Sequence, residues 1–185
     1  MKDLRWKKIS SQYISKDMWG TVRKDVCETA EGKVIDPYFV YEFPTWVSAV
    51  AMTAEGKMII ERQYRYALDL TCYEIPGGCV DETDNSLEEA IARELLEETG
   101  YRFTSYEYLG KISSNPSTND NWMHMFLATG GVYEKQQALD HNEEIEIYLM
   151  DIEEVKKLLR ENLFPQSMHV TTLFYALAKM KALLY

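Results

Sequence analysis

The sequence predicts an α+β chain: an α/β/α sandwich preceded by an N-terminal β-hairpin domain. Three observations carry that reading. The first half is a series of short β-branched and aromatic runs separated by turn residues, one capped helix interrupts the strands near the middle, and the last third carries apolar residues at helical spacing.

Tyr38–Phe43, Trp46–Met52 and Lys57–Tyr64 read as strands. Thr29-Ala-Glu-Gly-Lys-Val-Ile35 recurs as Thr53-Ala-Glu-Gly-Lys-Met-Ile59, and each copy reads as a hairpin turn with Gly32 or Gly56 at positive φ. Residues 17–42 thus form one expected hairpin and 46–64 the next, with Pro44 between them. A short strand at Thr71–Ile75 is expected to end at Pro76-Gly77-Gly78, which reads as the end of a ladder, and a loop follows over Cys79–Asn85. Ser86 and Glu89 have the spacing of a capping box and Gly100 that of a C-terminal cap, so a helix is predicted over Leu87–Thr99. Strands follow at Tyr106–Ile112, Trp122–Ala128 and Glu144–Met150. Asp151 then caps a helix bearing Val155, Leu158 and Leu159, Pro165 interrupts, and a last helix sets Leu173, Phe174, Leu177 and Met180 along a core stripe.

Composition narrows the function. The 185 residues include 46% apolar and 27% charged side chains, ordinary for a globular chain. Twenty basic against thirty acidic residues give a net charge of −10, which opposes a nucleic-acid backbone. An anionic ligand would therefore need local arginines or a metal. Three cysteines without C-x-x-C spacing argue against a disulfide framework or a zinc knuckle. The polar N-terminus and the lack of a long apolar run point to a cytoplasmic protein with no membrane partner.

The helix at 87–99 is unusual. Glu94, Glu97 and Glu98 stand at i, i+3 and i+4, within an arc of roughly 100°. They share their side of the helix with Leu87, Ala90 and Ile91, the side that should meet the sheet. Like charges so placed cost ~0.2–0.5 kcal/mol per pair even when exposed. One reading is a solvated arc with Arg93 pairing to Glu97. The other is a site for a hard divalent cation, Mg2+ or Mn2+, which prefers oxygen ligands.

Arg93-Glu94-Leu95-Leu96-Glu97-Glu98-Thr99-Gly100-Tyr101 resembles the R-E-U-x-E-E-x-G-U core of the Nudix box, where U is a bulky apolar residue, with Gly77-Gly78 upstream. The box would span about 78–101. It departs from the family pattern at Asn85, where a loop glutamate belongs, and at Cys79, where a glycine belongs; a one-residue loop insertion would offer only Asp84. Ile35-Asp36-Pro37-Tyr38, Pro44-Thr-Trp46-Val47, Glu61-Arg62-Gln63-Tyr64-Arg65 and Glu74-Ile-Pro-Gly-Gly78 look like the ADP-ribose pyrophosphatase branch.

The resemblance implies a Nudix fold over 44–185, an N-terminal β-hairpin over 1–43 serving dimerisation, and a homodimer. It implies Mg2+-dependent hydrolysis of the diphosphate linkage in ADP-ribose or a related nucleoside diphosphate sugar, giving a nucleoside monophosphate and a sugar phosphate. The alternative is a non-catalytic Nudix module that senses a nucleotide sugar.

The implied metal ligands are Glu94, Glu97, Glu98 and the Gly77 carbonyl, with Arg93 orienting the glutamates. For the base, the acidic segment Asp140-His-Asn-Glu-Glu-Ile145 offers Glu143, with His141 and Glu144 as rivals and a box glutamate such as Glu98 as a further choice. Arg62 and Arg65 are the candidate cations for the diphosphate, unless they pair with Glu61 or Glu74. Trp46 and Tyr64 are candidate stacking surfaces, unless they are core.

Overall fold

The computed structural model describes residues 1–17 and 20–183. They form two compact units, one of Met1–Pro44 with Ser113–Trp122, the other of the remaining described residues from Thr45 onward.

The first unit is a three-stranded antiparallel sheet in the order β1 (Lys7–Ser15), β2 (Thr21–Glu28), β3 (Val34–Glu42). The expected hairpin is β2–β3; Met18 and Trp19, within its predicted range, lie outside the described residues. Its turn closes as the repeat requires: Gly32 sits at φ 81°, and Thr29 Oγ1 accepts from the Lys33 N–H at 3.1 Å. β1 was not expected. All nine of its residues are exposed, so the run has no buried face to impose alternation, and its order comes from the ladder with β2. Residues 113–122 join this unit through the Tyr41 N–H to the Thr118 carbonyl at 2.8 Å and Asn121 Nδ2 to the Pro44 carbonyl at 2.8 Å.

The second unit is a mixed sheet between helices. Its path runs β11 (Ile145–Met150), β5 (Met58–Arg65), β4 (Trp46–Thr53), β10 (Met123–Tyr133), β8 (Tyr101–Arg102). β6 (Leu70–Glu74) pairs with β5, β7 (Gly77–Cys79) with β4, and β9 (Ser105–Ile112) with β10. β4 and β10 are parallel and central, and β4 is buried on both faces, as its near-continuous apolar sequence requires.

The pleat sorts that strand. Val47, Ala49 and Ala51 pack with Ala90, Ile91 and Leu95 of α1 (Leu87–Thr99). Val50 and Met52 pack with Val155 of α2 (Ile152–Arg160) and with Leu173 and Ala176 of α3 (Ser167–Lys179). The result is the α/β/α sandwich.

Several local details differ from expectation. Pro76 ends β6, but the two glycines after it pair with β4 as β7, because the chain turns to a different neighbour. At the start of α1 the Ser86 side chain accepts from the Glu89 N–H at 3.1 Å, while the Glu89 carboxylate reaches the N–H and Nδ2 of Asn85 instead of Ser86. In α3, Leu173 and Leu177 are fully buried, but Phe174 lies outside that stripe. The second Thr-Ala-Glu-Gly-Lys turn repeats the first, with Gly56 at φ 81° and Thr53 Oγ1 accepting from the Lys57 N–H at 3.2 Å.

Candidate active site

β7 brings Gly77 and Gly78 against α1; Gly77 requires glycine, and Gly78 leaves the Glu94 carboxylate its place. Gly77 has φ 151°, and a Cβ there would strike the Val47 carbonyl; a Cβ on Gly78 would lie 2.6 Å from the Glu94 carboxylate. The close approach lets the Gly77 N–H donate to Glu98 Oε2 at 2.8 Å.

The three box glutamates differ in environment. Glu98 is 6% exposed, the Glu94 side chain 13% and the Glu97 side chain 39%. Burial, together with the charges of Glu61 and Glu94, lifts the Glu98 carboxyl well above the usual carboxylate range. Burial pushes Glu94 up to about 7 against the counter-effect of Arg93.

Arg93 is the hub. It donates to Asp84 at 3.1 and 2.9 Å, to the Cys79 carbonyl at 2.9 Å, to Glu94 at 3.1 Å and to Glu97 at 3.0 Å. A guanidinium so engaged holds the loop and the helix face together. Asp84, not Asn85, supplies the loop carboxylate to Arg93, and its side chain is 3% exposed. Asn85 stays with Glu89.

A pocket of about 230 Å3 opens beside Glu98, Gly77 and Gly78. Glu143 lines it, its carboxylate accepting from the Asp140 N–H at 3.1 Å; His141 and Glu144 are exposed and not among its lining residues. Trp46 and Arg65 also line it. Arg65 is held bidentately by the buried Glu74, at 2.7 and 2.5 Å.

The structure does not bring Arg62 to this pocket. Alternation along β5 turns Gln63 and Arg65 toward it, while the register sets Arg62 opposite Glu146, which takes its guanidinium at 3.1 Å. Tyr64 is likewise absent from the lining and donates to Asp69 at 2.7 Å.

Sequence pattern did not single out Glu61 as a site residue. It is 4% exposed, its Oε1 is buried without a partner, and burial beside Glu74 pushes its carboxyl up to about 8. The signal was present: an acidic residue closing the apolar run Met58-Ile-Ile60 on a strand buried at that point.

The donor set fits a hard divalent cation. It offers oxygen alone, from several carboxylates whose pKa values burial and, after it, their mutual repulsion raise, with one buried carboxylate oxygen unpaired. Glu94 and Glu97 meanwhile turn to Arg93, and among the described residues no three acidic, histidine or cysteine side chains converge in a metal-holding arrangement.

The NUDIX domain matches residues 43–171, and the nucleoside diphosphate sugar hydrolase N-terminal domain matches residues 6–41. The chain belongs to the NUDIX family. This NUDIX chain is 31% identical over 160 residues to the ADP-ribose pyrophosphatase of Bacillus subtilis (strain 168), covering 86% of this chain and 85% of that protein. It is 28% identical over 137 residues to the methanol dehydrogenase activator of Bacillus methanolicus, covering 74% of each. A solved structure of an ADP compounds hydrolase superimposes with a TM-score of 0.84 at 23% identity over 98% of this chain and 97% of that one, so the two share the fold.

Proposed function

We propose that this NUDIX protein hydrolyses the diphosphate linkage of ADP-ribose or a related nucleoside diphosphate sugar, giving a nucleoside monophosphate and a sugar phosphate. The observation that carries the reading is the burial of Glu94 and Glu98, carboxyls of raised pKa, behind Gly77–Gly78 and beside a pocket that Glu143 lines. The similarity to an ADP-ribose pyrophosphatase across both segments of the chain names the substrate class.

Glu94, Glu97, Glu98 and the Gly77 carbonyl would hold Mg2+ or Mn2+. When bound, the ion supplies charge neutralisation on the phosphate oxygens. Arg93 keeps the glutamates oriented, as a positioning residue. Glu143 takes a proton from water as that oxygen bonds to one phosphorus, and the bridging oxygen leaves on the other phosphate. Trp46 offers a flat apolar wall, and Arg65 offers part of its charge, since Glu74 holds the rest. The missing loop glutamate, which would favour a sensor, loses its weight because Asp84 engages Arg93 in its stead.

The N-terminal sheet supports a homodimer. Trp6, Ile9, Ile14 and Phe39 are each more than two-fifths exposed in that unit, apolar side chains that a second copy could cover. Three free cysteines fit a reducing compartment, assigned as the cytoplasm. No helix of the described residues is long and apolar enough to cross a membrane.

The test is phosphate release from ADP-ribose products by a coupled phosphatase. Turnover with Mg2+ and none with chelator is the expected result. Absence of turnover on ADP-ribose and on other nucleotide sugars overturns the reading.

A further inference from the structure

One wall of the pocket belongs to neither the box helix nor the Glu143 loop. Gln166 and His169, in the first turn of α3, line it at i, i+3 spacing. Gln166 is the N-cap residue, yet its side chain caps nothing, and its Oε1 is buried without a hydrogen-bond partner. His169 is 6% exposed, and its Nδ1 also lacks a hydrogen-bond partner, the nearest carboxylate oxygen being that of Glu74 at 3.8 Å. Two buried polar groups left open on one pocket wall cost free energy unless a ligand or water satisfies them.

The chemistry of these groups selects the ligand. Burial and Arg65 together hold His169 neutral, so one ring nitrogen donates and the other accepts. Gln166 Oε1 accepts only. Arg65, which lines the same pocket, already shares its charge with Glu74 through a bidentate pair. Gln166 and His169 themselves carry no charge for a second phosphate, whereas a hydroxyl both donates and accepts. In a nucleoside diphosphate sugar the group bonded next to each phosphate is a sugar. The pocket, at about 230 Å3, is below the ~300–1,000 Å3 that drug-sized ligands fill, so it has no room for a whole nucleoside beside the reacting phosphate. A nucleoside's ribose must lead on to a base, while a terminal sugar can end against this wall. Met168 and Trp46 add an apolar side for its C–H face.

We infer that Gln166 and His169 form the subsite for the terminal sugar and set the preference for diphosphates that carry one. The inference rests on the hydrolytic reading above and names the part of the substrate that α3 recognises.

The test compares kcat/KM for ADP-ribose with that for the methyl ester of ADP, a diphosphate lacking the terminal sugar, under Mg2+. Gln166→Leu replaces the amide with a slightly smaller apolar side chain and so removes Oε1 together with Nε2; it should lower the ratio of the two constants by about tenfold, the scale of one lost hydrogen bond. His169→Leu should do the same, and His169→Asn, which restores a donor and an acceptor, should lower it less. Thermal melts identify any variant that fails to fold; because Gln166 is only half-buried, its variant carries the decision if a His169 variant unfolds. An unchanged ratio in folded Gln166→Leu overturns the subsite while leaving the hydrolase reading intact. A wild type that cleaves neither compound removes both.

Discussion

The Gly77 N–H donates to Glu98 Oε2 across 2.8 Å and ties the start of β7 to the last turn of α1. The bond keeps a buried carboxylate aimed at the strand's glycine, where the Gly77 carbonyl and the pocket lie. Replacing Glu98 by Gln retains a side chain able to accept that bond while removing the charge. Glu98→Gln should fold normally and lose turnover by ~10²–10³-fold, the scale of removing one preorganised electrostatic group. Near wild-type activity with Mg2+ would show that this helix does not carry the reaction.

With Glu94 and Glu98 acting in the same direction, metal-free stability should depend on pH through Glu61. Its folded pKa of about 8 lies above the ordinary 4.5, so between those values the folded state holds a proton that the unfolded chain has released. Stability therefore falls as pH rises through this window. His169, lowered to about 4, acts oppositely between about 4 and 6.5, where the unfolded state holds the extra proton. The carboxylate effect is thus cleanest from pH 6.5 to 8. Melting temperatures of metal-free protein should drop across that range, Glu61→Gln should lessen the drop while Glu94 and Glu98, also raised, sustain the rest, and Mg2+ should stabilise the wild type more at pH 8 than at pH 6.5. A flat wild-type profile would contradict the buried, unpaired state of Glu61.

Glu143→Gln should lower kcat by ~10²–10⁴ with little change in KM, as loss of a general base does. His141→Ala should stay near wild type, because His141 is exposed and outside the pocket lining. Loss of rate with His141→Ala alone would transfer the role.

Asp84→Ala should destabilise the fold by about 1–3 kcal/mol in urea titration. It strips a nearly buried partner from Arg93, which retains Glu94, Glu97 and the Cys79 carbonyl and stays a quarter exposed, so the cost falls below that of a fully buried pair. A change within error would mean that the loop is held by other contacts.

Light scattering at micromolar concentration should report twice the chain mass. Removing residues 1–42 should cost both assembly and activity. A single-chain mass for the intact protein rules out the homodimer.

Much of this molecule follows from local chemistry. Helix α1 begins at Ser86 and ends at Gly100 because the bonds that cap it close within a few residues. The two Thr-Ala-Glu-Gly-Lys turns take one geometry for the same reason, and the spacing of Glu94, Glu97 and Glu98 fixes their common arc before any packing occurs. Tertiary structure decided what those residues face. The phase of the β5 pleat and its register with β11 sent Arg62 to Glu146 and Arg65 to the pocket, although both stand in one Arg-Gln-Tyr-Arg stretch. β1 exists because β2 pairs with it, and residues 113–122 belong with the N-terminal sheet through contacts some 75 residues away in sequence. Glu61 and His169 became special only when surrounding elements removed their water, and desolvation is set by neighbours that residue spacing does not specify.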